Sequence, residues 1–333
     1  IWLDYTGQDI EKVISVIKGE EDAELASIIL LFLKDSNHKM AITIIAQFYE
    51  KILKNELGAK EEFIDICKAI GAFYLIWRSA RSNAGLDNVY RHFFKGFTNK
   101  DGTIVVDRNL WQDRVLSNVS AREVKSYLIS VLEREKININ TKSKWIENAK
   151  NYLSYKNKKL CKFILFISHH DTIEDGKEQG LMKKSKSGSN NLLSLKNWNS
   201  NDLKSLEHVA PQTNTIDWED TLYENELINS IGNLTLLPQD INSSVGNRSW
   251  NVKKIYYKHI NEPDFSKVKE LEKEAHNLGI RLNPETISLL RSVKFSRHMN
   301  SIINVNNWDS KIVSKRTERI LDICWDRIFT WLF

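Results

Sequence analysis

LEHVAPQ (residues 206–212) and IGNLTLLPQDINSSVGNRSWNVKK (residues 231–254) decide how this chain is read. SLEHV (205–209) is short and ends at Pro211, which cannot donate to a ladder, so it reads as a strand that turns at the proline. LTLLP (234–238) reads as a second short strand. From Asn242 to about His259, Val245, Trp250, Val252, Ile255 and Tyr256 fall at helical spacing, with Asn242 as the helix start. Two strands and a helix are therefore expected, separated by an irregular excursion over 212–230 that carries Trp218.

The polar residues on this frame suit phosphodiester hydrolysis. Attacking water must lose a proton, and a histidine titrating near neutrality is a natural base. Charge on the phosphate and on the leaving oxygen needs a counter-charge, and a hard divalent ion takes oxygen ligands from carboxylates or amides. Glu207 and His208 are adjacent, so on a regular strand they point to opposite faces; the turn at Pro211 offers a way for both to reach one cleft. Asn233 stands at the start of the second strand and Asn242 at the start of the helix.

The HxxP of His208–Pro211 with Glu207 ahead of it, the GNLTLL string at 232–237, and Asn242 followed by Asn247 and Lys253 resemble the HNH, or ββα-metal, nuclease superfamily. In detail they resemble the C-terminal nuclease region of GmrSD-type, modification-dependent restriction endonucleases. The resemblance implies roles. His208 is the general base and Asn233 holds the loop that orients it. Glu207 and Asn242 are ligands of Mg²⁺, with Mn²⁺ as the alternative. Asn247, Arg248, Lys253 and Lys254 contact nucleic acid. The expected activity is a metal-dependent DNA endonuclease or nickase in antiphage restriction, acting on double-stranded and modified DNA. Two alternatives stay open: an inert HNH fold used for DNA binding or docking, and an RNA-directed nuclease. Such enzymes carry an N-terminal nucleotide-hydrolysing sensor domain. This sequence has no Walker A motif and begins at Ile1 without Met, so the expectation is a C-terminal piece whose sensor lies elsewhere.

The expected fold is mainly α: a helical region, the ββα module, then a helical tail. Residues 1–170 are read as an α-helical scaffold. Within it, apolar spacing marks helices over 8–34, 42–52 and 59–80, the last with Phe63, Ile66, Ile70, Phe73 and Trp77 on one side. Shorter patterns follow near 86–96, 108–117, 121–135 and 142–155. LCKFILFIS (160–168) is a continuous apolar run, for which periodicity leaves helix and strand both open. Residues 171–202, with KKSKSGSNN at 183–191, are expected to be a flexible basic loop. The nuclease module spans 203–283, and the helices of 284–333 pack on the core.

Composition sets weaker bounds. Four prolines and 13 glycines in 333 residues favour long helices, and a net charge of +5 permits a polyanionic partner without demanding one. Cys67, Cys161 and Cys324 are far apart, which suits a reducing cytoplasm and gives neither a disulfide framework nor zinc-ligand spacing. No apolar run reaches the ~18 residues that span a bilayer, and no signal-peptide pattern is present. His169–His170–Asp171 lacks a second ligand group and is discounted as a metal site.

Overall fold

The computed structural model describes all residues except 1–9, 96, 99–103, 107–118, 135, 216, 263 and 293–296. The chain divides into two compact units, residues 1–152 with 325–333, and residues 153–324. The first division therefore falls near 152, where composition suggests 170. Among the described residues no helix is long and apolar enough to cross a membrane.

The first unit is built on α4 (Ala59–Ala80), against which α2 (Ala23–Asp35), α3 (Ile42–Leu53), α6 (Ala121–Glu133) and α7 (Lys142–Tyr152) pack. The helical spacing of Phe63, Ile66, Ile70, Phe73 and Trp77 is borne out, and all five are buried. Gly71 lets α2 approach: a Cβ there would lie 2.5 Å from Ile29 Cγ2. Two further helices, α1 (Ile10–Val16) and α5 (Leu86–Lys95), complete the expected set. A capping box starts α6, with Ser120 accepting from the Glu123 amide and Glu123 accepting from the Ser120 amide. A small antiparallel pair, β1 (Phe97–Thr98) with β2 (Ile104–Val106), was not foreseen; the helix expected near 108–117 lies outside the described residues.

In the second unit, the apolar run at 160–168 is a helix, α8 (Lys158–His169), buried along most of its length. Residues 171–202 correct the expectation of a loop. They form an antiparallel pair, β3 (Thr172–Glu174) with β4 (Met182–Lys184), and a short helix, α9 (Leu195–Trp198). Their polar side chains bond to backbone: Asp171 Oδ1 accepts from the Gly188 amide and Asn190 Nδ2 donates to the His169 carbonyl. Composition alone does not reveal this satisfaction, which is why the stretch reads as solvated.

The two decisive strands are present. β5 (Ser205–His208) pairs antiparallel with β6 (Leu234–Leu237), with Glu207 opposite Thr235 and His208 opposite Leu234. The excursion between them holds a short helix, α10 (Thr221–Glu224), and buries Trp218. The single helix expected from Asn242 is two, α11 (Gln239–Val245) and α12 (Trp250–Asn261). Gly246, at φ +52°, ends α11 in a conformation that costs other residues strain, and Ser249 precedes the restart. α13 (Phe265–Asn277), α14 (Pro284–Ser292) and α15 (Asn300–Ile303) follow, and α16 (Ser310–Ile328) contains the division between the units. Val209, Ala210, Leu237, Ile241, Trp250, Tyr257, Trp308 and Val313 share one core, so the strand pair, α11, α12 and the start of α16 are packed as one body.

Candidate active site

The loop after β5 is clamped by Asn233, which is fully buried. Its Oδ1 accepts from the Ala210 amide at 2.8 Å and from Trp308 Nε1 at 2.9 Å. Its Nδ2 donates to the carbonyls of Ala210 and Ile228, both at 2.8 Å. All the hydrogen-bonding capacity of this amide is spent on backbone and an indole, leaving none for a metal or substrate. Gly232, one residue earlier, meets α16: a Cβ there would lie 2.1 Å from the Val313 carbonyl, and its amide donates to Thr317 Oγ1. The fully buried Arg316 donates from Nε to the Gly232 carbonyl at 2.9 Å.

His208 ends β5 immediately before this clamped loop and is 8% exposed. Its Nε2 is buried with no hydrogen-bond partner. The ring of Tyr155 packs against it edge-on, centroids 4.1 Å apart. Burial lowers the imidazole pKa to about 4; a hydrogen bond between the imidazole and the Asn229 side chain opposes the shift, and the positive charges of Lys253 and Lys158 add to it. The ring is therefore neutral at pH 7, the form that accepts a proton.

Glu207 and His208 keep the strand's alternation to its end, contrary to the expectation that the turn would bring them to one cleft. Glu207 faces α12. Its Oε1 accepts from Lys253 Nζ at 2.7 Å and from Tyr257 Oη at 3.2 Å. Burial pushes the Glu207 carboxyl up and the Lys253 ammonium down, each toward its neutral form, and their attraction opposes both shifts. Lys253 also donates to the His208 carbonyl at 2.8 Å. At 1% exposure it cannot serve as the expected surface contact to phosphate.

Asn242 lies within α11, a turn past its start. Its Nδ2 donates to Ser205 Oγ at 3.0 Å and to the Leu206 carbonyl at 3.2 Å. It thus ties the helix to the beginning of β5, about 10 Å along the strand from His208 at ~3.3 Å per residue. The two expected metal ligands are therefore engaged elsewhere: Glu207 already holds an ammonium, and Asn242 sits at the far end of the strand. This arrangement does not fit Mg²⁺ between them. Among the described residues no three His, Cys, Asp or Glu side chains gather as a metal-binding group. Asn247 and Arg248 are exposed in the link between α11 and α12. Lys254 is half-buried and donates to the Val305 carbonyl at 2.9 Å.

Sequence reading missed Tyr155, Trp308 and Arg316. Tyr155 and Trp308 carry no chemistry of their own, and Arg316 sits in a helix whose pattern gives no sign that it reaches Gly232.

The profile of the GmrSD restriction endonucleases, C-terminal domain, matches residues 131–323, which takes in both strands, the clamped loop and most of α16. The chain belongs to this family, and the match covers the whole of the LEHVAPQ and GNLTLL segments. No curated protein matches the chain.

Proposed function

We propose that the second unit is an HNH-type DNA endonuclease or nickase whose general base is His208. The observation that carries this reading is the buried Nε2 of His208, at the end of a strand whose following loop is fixed at Ala210 by two hydrogen bonds with Asn233, itself braced by Ile228 and Trp308. An unpaired polar atom in the interior costs free energy and asks for a reason. A base waiting for a water proton supplies one. As the water oxygen bonds to phosphorus, its proton passes to Nε2. The P–O3′ bond breaks, and the 3′ oxygen takes a proton from solvent. Family membership supports the endonuclease class; the antiparallel pair followed by helices supports the ββα assignment.

Divalent metal dependence, Mg²⁺ before Mn²⁺, belongs to this proposal as an expectation from the family. No step is routed through it, because Glu207 and Asn242 are not arranged to share an ion. The proposed substrate is double-stranded DNA, possession of a sensor partner being part of the same reading. The test is supercoiled plasmid with the purified chain in Mg²⁺, Mn²⁺ or EDTA, alongside His208→Ala. Nicked or linear product from wild type and none from the variant supports His208 as the base; equal rates remove it from that role.

A second reading has its own observation. The Glu207–Lys253 pair neutralises the carboxylate that a metal would use, as in a fold kept for DNA binding alone. Titration calorimetry with Mn²⁺ separates the two: binding heat supports the metal-dependent enzyme, and no heat supports the binding module.

A further inference from the structure

The segment 153–170, LSYKNKKLCKFILFISHH, contains four lysines and no acidic residue. Lys156, Lys158 and Lys159 are exposed, and among the described residues none has a carboxylate partner. Lys158 and Lys159 sit in the first turn of α8, where the helix's own partial positive charge disfavours cations, and no acidic residue offsets them there. A sequence that breaks a local rule without an evident structural return marks a place to look for function.

That place adjoins His208. Tyr155, one residue before Lys156, packs its ring on the imidazole at 4.1 Å, and Lys158 Nζ lies over the Tyr155 ring, 4.7 Å from its centroid. The charge of Lys158 is felt at the His208 imidazole. The lysines, the start of α8 and the unpartnered Nε2 thus belong to one neighbourhood within the second unit. Exposed ammonium groups, a helix N-terminus and no competing carboxylate are what a row of phosphates requires.

We infer that Lys156, Lys158 and Lys159 form a DNA backbone-binding clamp beside His208, with Tyr155 as the spacer that sets the clamp against the imidazole. The inference rests on the reading of His208 as the hydrolytic base. The clamp touches phosphates without reading bases, so it sets affinity and register and leaves sequence preference unchanged.

The test is binding of a fluorescent duplex to the full chain in EDTA over a salt series, so that binding is measured without cutting. The K156Q/K158Q/K159Q variant is expected to bind more weakly and to show a slope of log K against log salt reduced by roughly 0.9 for each phosphate no longer neutralised. The K156R/K158R/K159R variant keeps the charge and is expected to restore the slope. K267Q/K269Q/K273Q removes the same charge from exposed positions on α13 and is expected to leave the slope unchanged. An unchanged slope in the first variant, an equal effect in the α13 control, or no binding by the unsubstituted chain would each overturn the clamp. Plasmid cutting by His208→Ala, scored separately, reports on the base: if that variant still cuts while the lysine variant binds weakly, the base assignment fails and the clamp stands.

Discussion

His38 in the first unit and His208 in the second are buried to nearly the same degree, at 6% and 8% exposure, and burial lowers both pKa values, to about 3 and about 4. Both also pack on tyrosine rings. They differ in hydrogen bonding. His38 Nε2 meets Tyr90 Oη at 2.7 Å and the ring stacks on Tyr74, so it is a satisfied piece of core. His208 Nε2 has no partner of that kind, and the polar neighbour of its ring is the Asn229 side chain. A depressed pKa therefore does not separate a structural histidine from a candidate base, and an unpartnered ring nitrogen does not do so by itself, since both nitrogens of His259 are buried without one. The contrast extends further into the second unit, where His169 Nε2 is also buried without a partner and borders a cavity of about 210 Å³ with His298.

The contrast is broken most directly at the two rings themselves. His208→Ala is expected to lower plasmid cleavage by roughly 10²–10⁴, the range for loss of a general base, whereas His38→Gln should alter only stability. If both changes reduced cutting equally at full folding, the distinction between them would be lost.

Next in size is Lys253, whose charge is shared between Glu207 and the His208 carbonyl. Lys253→Ala leaves a buried carboxylate alone and should cost about 3–5 kcal/mol in urea unfolding. Glu207→Leu with Lys253→Met should recover most of that loss. A double variant as unstable as the single would show that the pair matters through the shape of its packing and not through its charge.

Acid should act unevenly. In the second unit the folded pKa values of His169, His208 and His298 lie at about 3, 4 and 4, below the ordinary 6.5. Between those values the unfolded chain binds more protons than the folded one. Stability is thus full above about pH 6.5 and falls as pH drops toward 4, by about 1.4 kcal/mol per pH unit for each histidine. In the first unit His38 has such a shift. Hydrogen exchange at pH 7 and pH 5 should show greater loss of protection in residues 153–324, and equal loss in both units would contradict this. The smallest effect is expected from Tyr90→Phe, which leaves His38 Nε2 unpaired at a cost of about 1–3 kcal/mol with no change in DNA cutting.

The helices of the first unit were legible because each buries one apolar face, as α4 does with Phe63, Ile66, Ile70, Phe73 and Trp77. The strands at 205–208 and 234–237 were legible from the proline that follows each and, for the second, from its apolar content. Asn233 was singled out through family resemblance, and its amide hydrogen-bonds to Ala210, Ile228 and Trp308. The direction of Glu207 was not legible, because strand alternation persists up to a turn that had room to relax it. Nor was the interior position of Lys253: a lysine at a helical site reads as solvated, and its partner lies on a strand 46 residues away in sequence. The order in 171–202 was hidden for a related reason, since side-chain bonds to backbone leave no periodic pattern.

The clamp on the His208 loop has a consequence for how the chain is made. Asn233 is braced by Trp308, and Gly232 by Arg316 and Thr317, all translated long after His208 itself. A ribosome that stalls between the two strands and α16 releases a product with the histidine but without the posts that hold its loop. The histidine is made early, and its loop is set in place only when much later residues arrive.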